Sequence, residues 1–217
     1  MKKTILFLFC NIFLFLFSCT SDEDIKYSCD EETNMWVKEN LAKVHSLSRR
    51  KWMELDENKQ LASYRAFTQE QQIQFWKDKI KEVKELEWTD EEIAHIDKVD
   101  SFIDNHKNFF ENRKLTEEES DEIELFFYIW QKYGTEYLGW TDRLGKSLFA
   151  TGRTLVDTKG NILIKKPYPH VNCNCSNSTD FCEQQISPCK KVKWCEVTDR
   201  GCGWLWLAEC DGRCMGL

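Results

Sequence analysis

Cysteine is concentrated at the C-terminal end of this chain, and this restricts how that end can fold. Eight of the eleven cysteines fall within the last 45 of the 217 residues. So short a segment buries too little apolar surface to hold a fold by itself, and small exported domains compensate with disulfides. Each relaxed disulfide adds about 2–4 kcal/mol by restricting the unfolded chain. The sequence predicts a disulfide scaffold formed by Cys173, Cys175, Cys182, Cys189, Cys195, Cys202, Cys210 and Cys214.

The N-terminus predicts export, which an oxidised scaffold requires. Lys2 and Lys3 precede an almost wholly apolar run from Ile5 to Phe17. This run is shorter than the ~20 residues of a membrane-spanning helix and is typical of a signal peptide. It ends in Leu-Phe-Ser-Cys at Cys19, which resembles the lipobox of bacterial lipoprotein signals. The resemblance implies a lipid on Cys19 that anchors the protein to the outer or cell membrane; the alternative is an ordinary cleaved signal.

Changes in composition divide the chain into five segments. They are a lipoprotein signal peptide (1–18), an acidic tether (19–29), a helical domain (30–151), a short hairpin and linker (152–170) and a disulfide-rich module (171–217). The acidic run at 20–24 resembles a signal for export to the cell surface, and the alternative is a solvated linker. Cys29 lies outside the C-terminal set, and the sequence leaves open whether it is free or paired.

The segment from Asp30 to Ala150 has no proline and shows repeated helix-start patterns. The pattern Ser/Thr-x-x-Glu/Gln, typical of a helix N-terminus, occurs at Thr68, Thr89 and Thr116, and Asp56 is a further candidate cap. Apolar residues recur at three- and four-residue spacing between these points. This pattern predicts a mainly α fold: an N-terminal bundle of five or six helices followed by a small disulfide-rich β-hairpin module. The helix at 123–133 is apolar enough to lie centrally.

Short strands are predicted beyond the helices. Two strands flank a glycine turn at 155–164, and the dibasic, proline-containing linker at 165–170 is predicted to be accessible to proteases. In the module, alternating residues at 192–197 lead through a turn at 198–201 into the apolar stretch 204–207. This order predicts a β-hairpin, with a second tight turn at 211–212.

Tryptophan and leucine in the predicted hairpin are candidates for contact with a partner or a membrane. The stretch Trp204, Leu205, Trp206 and Leu207 is apolar on both faces of a strand, and a small stapled module has little core to cover both. We expect part of this surface, together with Trp194, to be exposed. The alternative is that the stretch packs against the helical domain.

Charge and motif spacing exclude several function classes. The net charge is −7, and loss of Lys2 and Lys3 makes it −9, which argues against nucleic-acid binding. The cysteine spacing does not match usual zinc sites, so no metal is predicted. A single Glu92-x-x-His95 pair occurs where di-iron bundles need two, and we expect it to face solvent. No catalytic residue and no cofactor are predicted.

The C-terminal module resembles the fulvocin C family of disulfide-rich bacteriocins. The resemblance rests on Asn-Cys-Asn-Cys at 172–175, Asp-Phe-Cys at 180–182 and Gly-Cys-Gly-Trp at 201–204, and it covers about 45 of the 217 residues. It implies an exported lipoprotein whose module, displayed or released by cleavage, acts on an envelope receptor or lipid of competing bacteria. The alternative is a non-toxic recognition or adhesion lipoprotein that uses the same module for binding.

Overall fold

The computed structural model describes residues 25–152, 172–173, 189–193 and 198–214. Within these residues the helices are α1 (Glu31–Glu39), α2 (Leu41–Val44), α3 (Arg49–Met53), α4 (Glu57–Ala66), α5 (Gln69–Lys84), α6 (Asp90–Asn105), α7 (Glu117–Glu136) and α8 (Asp142–Phe149). Short 3₁₀ helices lie at Lys107–Phe110 and Trp204–Trp206. The strands are β1 (Asn172–Cys173), β2 (Cys189–Lys191), β3 (Thr198–Cys202), β4 (Ala208–Cys210) and β5 (Gly212–Cys214). The chain is thus mostly helical, with a small β region near its C-terminus.

The helix N-termini follow the capping pattern of the sequence. Thr68, Thr89 and Thr116 each form a complete capping box, in which the threonine and the Glu or Gln three residues later bond each other's backbone N–H. At Thr89 the backbone N–H donates to Glu92 Oε2 at 2.8 Å, and Glu92 N–H donates back to the hydroxyl at 3.3 Å. Asp56 caps α4 with one bond, in which its carboxylate accepts from the Lys59 backbone N–H at 3.0 Å. These four predicted helix starts are confirmed.

The number of helices exceeds the five or six that the sequence predicts. The described residues contain eight α-helices, and α2 and α3 have only four and five residues. Segments of that length are too short to display the apolar repeat from which longer helices are recognised. The expectation that α7 lies centrally is also wrong, because one of its faces is open to solvent.

The described strands form two small antiparallel sheets. The first has the strand order β1-β5-β2 and the second pairs β3 with β4. In the second sheet Thr198 lies opposite Cys210, and Cys202 lies opposite Ala208. The residues of the predicted turn therefore form a strand. The predicted strand at 204–207 instead forms the connection between β3 and β4.

Backbone conformation explains this shift of the hairpin. Gly201, Gly203, Leu205 and Trp206 all have positive φ, with 51° at Leu205 and 55° at Trp206. Strands need negative φ, so left-handed residues interrupt the ladder. Glycine adopts this region without strain, whereas Leu205 and Trp206 need support from surrounding packing. We call residues 203–207 the tip loop.

One apolar core joins the helices to the tip loop. Trp204, Leu205, Trp206 and Leu207 belong to the same buried cluster as side chains from α1 to α8. Lys79 on α5, fully buried, donates to the carbonyl oxygens of Ser147, at 3.0 Å, and of Thr151 at the end of α8. A cation is favoured at that end of a helix because the helix dipole is negative there. These two hydrogen bonds hold α8 against α5.

Some of the sequence predictions fall on residues outside the described ranges. They are the signal peptide, the lipidation site Cys19, the strands at 155–164, the linker at 165–170 and the contact residue Trp194. Of the eight predicted scaffold cysteines, Cys175, Cys182 and Cys195 also lie outside.

Candidate functional site

The residues predicted as an exposed contact lie in the interior. Trp204, Leu205, Trp206 and Leu207 are each at most 5% exposed. The ring of Trp204 stacks on Phe127 of α7 at 4.5 Å between centroids. This placement corrects the expectation of an exposed partner or membrane surface at 204–207. The physical reason is that the tip loop turns into the helical core instead of continuing as a strand with two open faces.

Aromatic rings surround the tip loop on several sides. Trp206 lies 4.7–6.0 Å, between ring centroids, from Trp52, Tyr64, Phe75 and Trp76. Aromatic pairs at these separations add about 0.5–1.5 kcal/mol each to the energy of burial. The Tyr64 hydroxyl accepts from Trp76 Nε1 at 2.9 Å. The loop is therefore part of the structural core rather than a free binding element.

One disulfide closes the base of the tip loop, and two further described cysteines are also disulfide-bonded. Cys202 and Cys210 form a disulfide with Cα atoms 5.3 Å apart. Cys189 is disulfide-bonded, and so is Cys29, the state of which the sequence leaves open. Among the described residues no group of three or more His, Cys, Asp or Glu side chains is placed to hold a metal ion.

The outer face of α7 is apolar and open to solvent. Leu125, Tyr128 and Ile129, which we call the outer face, are 58–64% exposed. Tyr128 and Ile129 lie three and four residues after Leu125, so the three side chains share one side of the helix. The opposite side of α7 carries the buried residues Ile123, Phe127 and Trp130. A helix that is apolar on both sides is normally covered on both, so the outer face is a candidate interaction surface.

A groove of about 480 Å³ runs beside the outer face, between α7 and α8. Tyr128, Lys132, Asp142, Lys146 and Trp204 are among the residues that line it. Its volume lies within the ~300–1,000 Å³ of typical ligand sites. Apolar rings thus lie next to charged groups of both signs, an arrangement that suits an amphipathic partner.

Two buried polar atoms near this groove lack partners. Among the described residues, Gln131 Oε1 and Trp204 Nε1 have no hydrogen bond. Gln131 Nε2 donates to the carbonyl oxygen of Asp142 at 3.1 Å. Gly145 allows this approach, because a Cβ there would lie 1.9 Å from Gln131 Oε1. One buried acceptor on α7 and one buried donor on the tip loop therefore have no described partner beside the groove.

The sequence contained a pattern from which the outer face could have been found. Residues 125–130 read Leu-Phe-Phe-Tyr-Ile-Trp, six consecutive apolar residues in a helix whose first turn is acidic. Such a run must place apolar side chains on every side of the helix, because successive residues differ by about 100°. Central burial, predicted from the apolar residues at 123–133, is found on only one side of the helix.

The Glu92-x-x-His95 pair is structural in this fold. The expectation that it faces solvent is wrong for His95, which is 2% exposed and stacks on Trp130 with 4.9 Å between ring centroids. His95 Nε2 bonds the Trp130 carbonyl at 2.9 Å, and Trp130 Nε1 donates to the His95 carbonyl at 2.9 Å. Burial lowers the pKa of His95 to about 4. The imidazole is therefore neutral at pH 7, and it packs α6 against α7.

Comparisons with known proteins give no relative for this chain. No family model, no curated protein and no solved structure matches it. Among the described helices, none combines the length and the apolar composition needed to span a membrane.

Proposed function

We propose that the protein is an exported envelope lipoprotein that recognises a partner protein through the outer face of α7. Lipid on Cys19 would hold it at the membrane, and the folded chain would present the outer face away from its own core. The observation that carries the proposal is the stripe of three large, exposed apolar side chains at 125, 128 and 129. Soluble surfaces rarely expose such contiguous apolar groups unless a partner covers them.

Charge on α7 indicates the chemistry of the partner. The first turn of the helix is acidic, and Glu117, Glu118 and Asp121 are exposed. An apolar surface next to carboxylates is complementary to an apolar ridge flanked by lysine or arginine. The same charge opposes contact with an anionic membrane surface and with a second copy of the acidic end of α7. We therefore assign the outer face to a protein partner that presents a basic, amphipathic helix.

A synthetic amphipathic helix with one leucine face and one lysine face is the probe for this surface. We expect saturable binding to the oxidised, folded chain. The Leu125→Ser, Ile129→Ser double variant should bind at least about tenfold more weakly, a loss of about 1.4 kcal/mol or more. The measurement is fluorescence anisotropy of labelled peptide at physiological ionic strength.

Met35→Ser is the matched control, because Met35 is an exposed apolar side chain on α1, away from α7. It should leave peptide binding unchanged. Equal losses in the control and the double variant would contradict the assignment. Concentration-dependent dimerisation that disappears in the double variant would identify the outer face as a self-association surface instead.

The bacteriocin-like role stays a competing prediction. Release of segment 171–217 would remove four core residues, Trp204 to Leu207, from their aromatic surroundings. This burial supports recognition by the intact chain over action of a free fragment. Mass spectrometry of membrane and medium fractions distinguishes the two, since it detects lipid on Cys19 and any separate C-terminal fragment. Inhibition of a neighbouring strain by the oxidised fragment would support the bacteriocin hypothesis instead.

A further inference from the structure

A small cavity lies where the N-terminal segment, α4 and β3 meet. Its volume is about 180 Å³, and its basic lining residues are Lys26, Arg65, Arg113 and Arg200. Asp199 is the acidic residue among the lining side chains. Four cations against one carboxylate contrast with the net charge of −7 of the whole chain. The local excess of positive charge marks this cavity as unlike the rest of the surface.

Arg113 does not contribute free charge to the cavity. Its guanidinium makes a two-bond contact with the Glu119 carboxylate at 2.6 and 2.7 Å and a third bond to Glu111 at 2.9 Å. Paired contacts of this kind are among the strongest that arginine forms. They neutralise Arg113, so the cationic character of the cavity comes from the other three residues.

Arg65 and Arg200 are bonded to backbone carbonyls rather than to carboxylates. Arg65 donates to the Tyr27 carbonyl at 3.1 Å, and Arg200 donates to the carbonyls of Phe109 and Glu111. Among the described residues, neither guanidinium forms an ion pair, and Arg200 Nε has no hydrogen-bond partner. A carbonyl satisfies a donor but supplies no full negative charge, and Glu111 and Glu119 act on Arg200 without forming an ion pair.

Burial raises the energetic cost of keeping Arg65 and Arg200 charged without an ion-pair partner. It lowers the pKa of Arg65 to about 10, with a further contribution from the nearby positive charge of Arg213. Burial also lowers the pKa of Arg200, and the charge of Arg113 acts in the same direction, whereas Tyr64, Glu119 and Glu111 raise it. Both groups remain charged at neutral pH. An anion bound in the cavity would supply the negative charge that neither guanidinium receives from an ion pair.

We propose that this cavity binds a phosphate dianion, held by Arg65 and Lys26 with Arg200 at its side. Planar guanidinium groups and a lysine ammonium are the side chains best suited to phosphate oxygens. The volume of about 180 Å³ is below the ~300–1,000 Å³ of drug-sized ligand sites, so it fits a single oxyanion group. Because more than one cationic side chain here has no ion-pair partner, a dianion is favoured over a monocarboxylate.

Isothermal titration calorimetry with inorganic phosphate, at constant ionic strength, tests the proposal. We expect saturable binding to the intact oxidised chain, with Arg65→Gln and Lys26→Gln each weakening it by about tenfold. Lys26 is exposed, so its variant tests the site even if Arg65→Gln fails to fold. Methyl phosphate distinguishes the source: binding as tight as that of inorganic phosphate indicates the phosphate monoester of a larger molecule, and weaker binding indicates free phosphate.

Arg50→Gln is the control, because Arg50 is an exposed arginine on α3 that does not line the cavity. It should retain phosphate binding. Absence of saturable binding to the unmodified chain would overturn the proposal, as would an equal loss in Arg50→Gln, which would indicate a general charge effect. Acetate binding as tightly as phosphate would overturn the assignment to a dianion.

Discussion

Individual side chains in this protein often do the opposite of what their type suggests. Lys79, Arg49 and His95 are at most 2% exposed, whereas Leu125 is 61% exposed. Arg49 lies over the Phe75 ring and 3.4 Å from a Glu82 carboxylate oxygen. The burial of the three polar side chains could not be predicted from sequence, because residue type gives only an average tendency towards burial. Their locations depend on packing between helices that are distant along the chain.

His95 should make stability depend on pH. Its folded pKa of about 4 lies below the unfolded value of 6.5, so the unfolded chain binds the extra proton. The contribution of His95 to the free energy of unfolding is therefore fully present above pH ~6.5 and is lost as pH falls towards 4. Between pH 7 and pH 5 this group should lower the free energy of unfolding by about 2 kcal/mol. Urea unfolding at several pH values measures the effect.

The control for this prediction is a second histidine. His95→Gln should flatten the pH dependence, whereas His106→Gln should leave it in place, because His106 is only partly buried and bonds Glu122 at the surface. Equal slopes in the unmodified chain and His95→Gln would contradict a neutral, buried imidazole.

Whole elements were more predictable than single residues. Thr68, Thr89 and Thr116 predicted helix starts because a capping box is a local arrangement that needs only four consecutive residues. The tip loop was not predicted, because Trp-Leu-Trp-Leu has high strand propensity and the left-handed backbone comes from its packing. The outer face of α7 shows a related limit: the apolar run is visible, but which side is covered depends on tertiary structure.

The cap at Thr68 should contribute measurably to stability. Thr68→Ala removes the acceptor for the Gln71 N–H, now at 3.3 Å, and should cost about 1 kcal/mol. Thr68→Ser keeps the hydroxyl and should change stability by no more than a few tenths of a kcal/mol. The midpoint of urea unfolding compares the two variants. A serine variant as unstable as the alanine variant would show that the methyl group, rather than the cap, matters.

At the scale of the molecule, the helices and the tip loop share one core. The predicted segment boundaries separate a helical domain from a stapled module, yet Trp206 contacts rings from α3, α4 and α5. Sequence could not distinguish these arrangements, because an apolar stretch has the same composition whether it meets its own chain or another.

Trp206→Ala should therefore destabilise the helices as well as the loop. Loss of a fully packed aromatic side chain costs about 3–5 kcal/mol. The helical circular dichroism signal should unfold at lower urea concentration, in the same transition as tryptophan fluorescence. Tyr137→Ala, at a side chain that is 72% exposed, should shift stability by no more than about 0.5 kcal/mol. A helical transition unchanged by Trp206→Ala would show two independent units.

The position of the tip loop in the sequence also determines when the core can be completed during synthesis. Rings that surround Trp206 come from residues 52–76, which are synthesised more than 120 residues before the tip loop. The nascent polypeptide therefore lacks four residues of its buried core until Trp204 to Leu207 have been synthesised. Under the proposed export, a precursor that still lacks this contact is suited to passage through a translocation channel, and its final packing would coincide with formation of the Cys202–Cys210 disulfide.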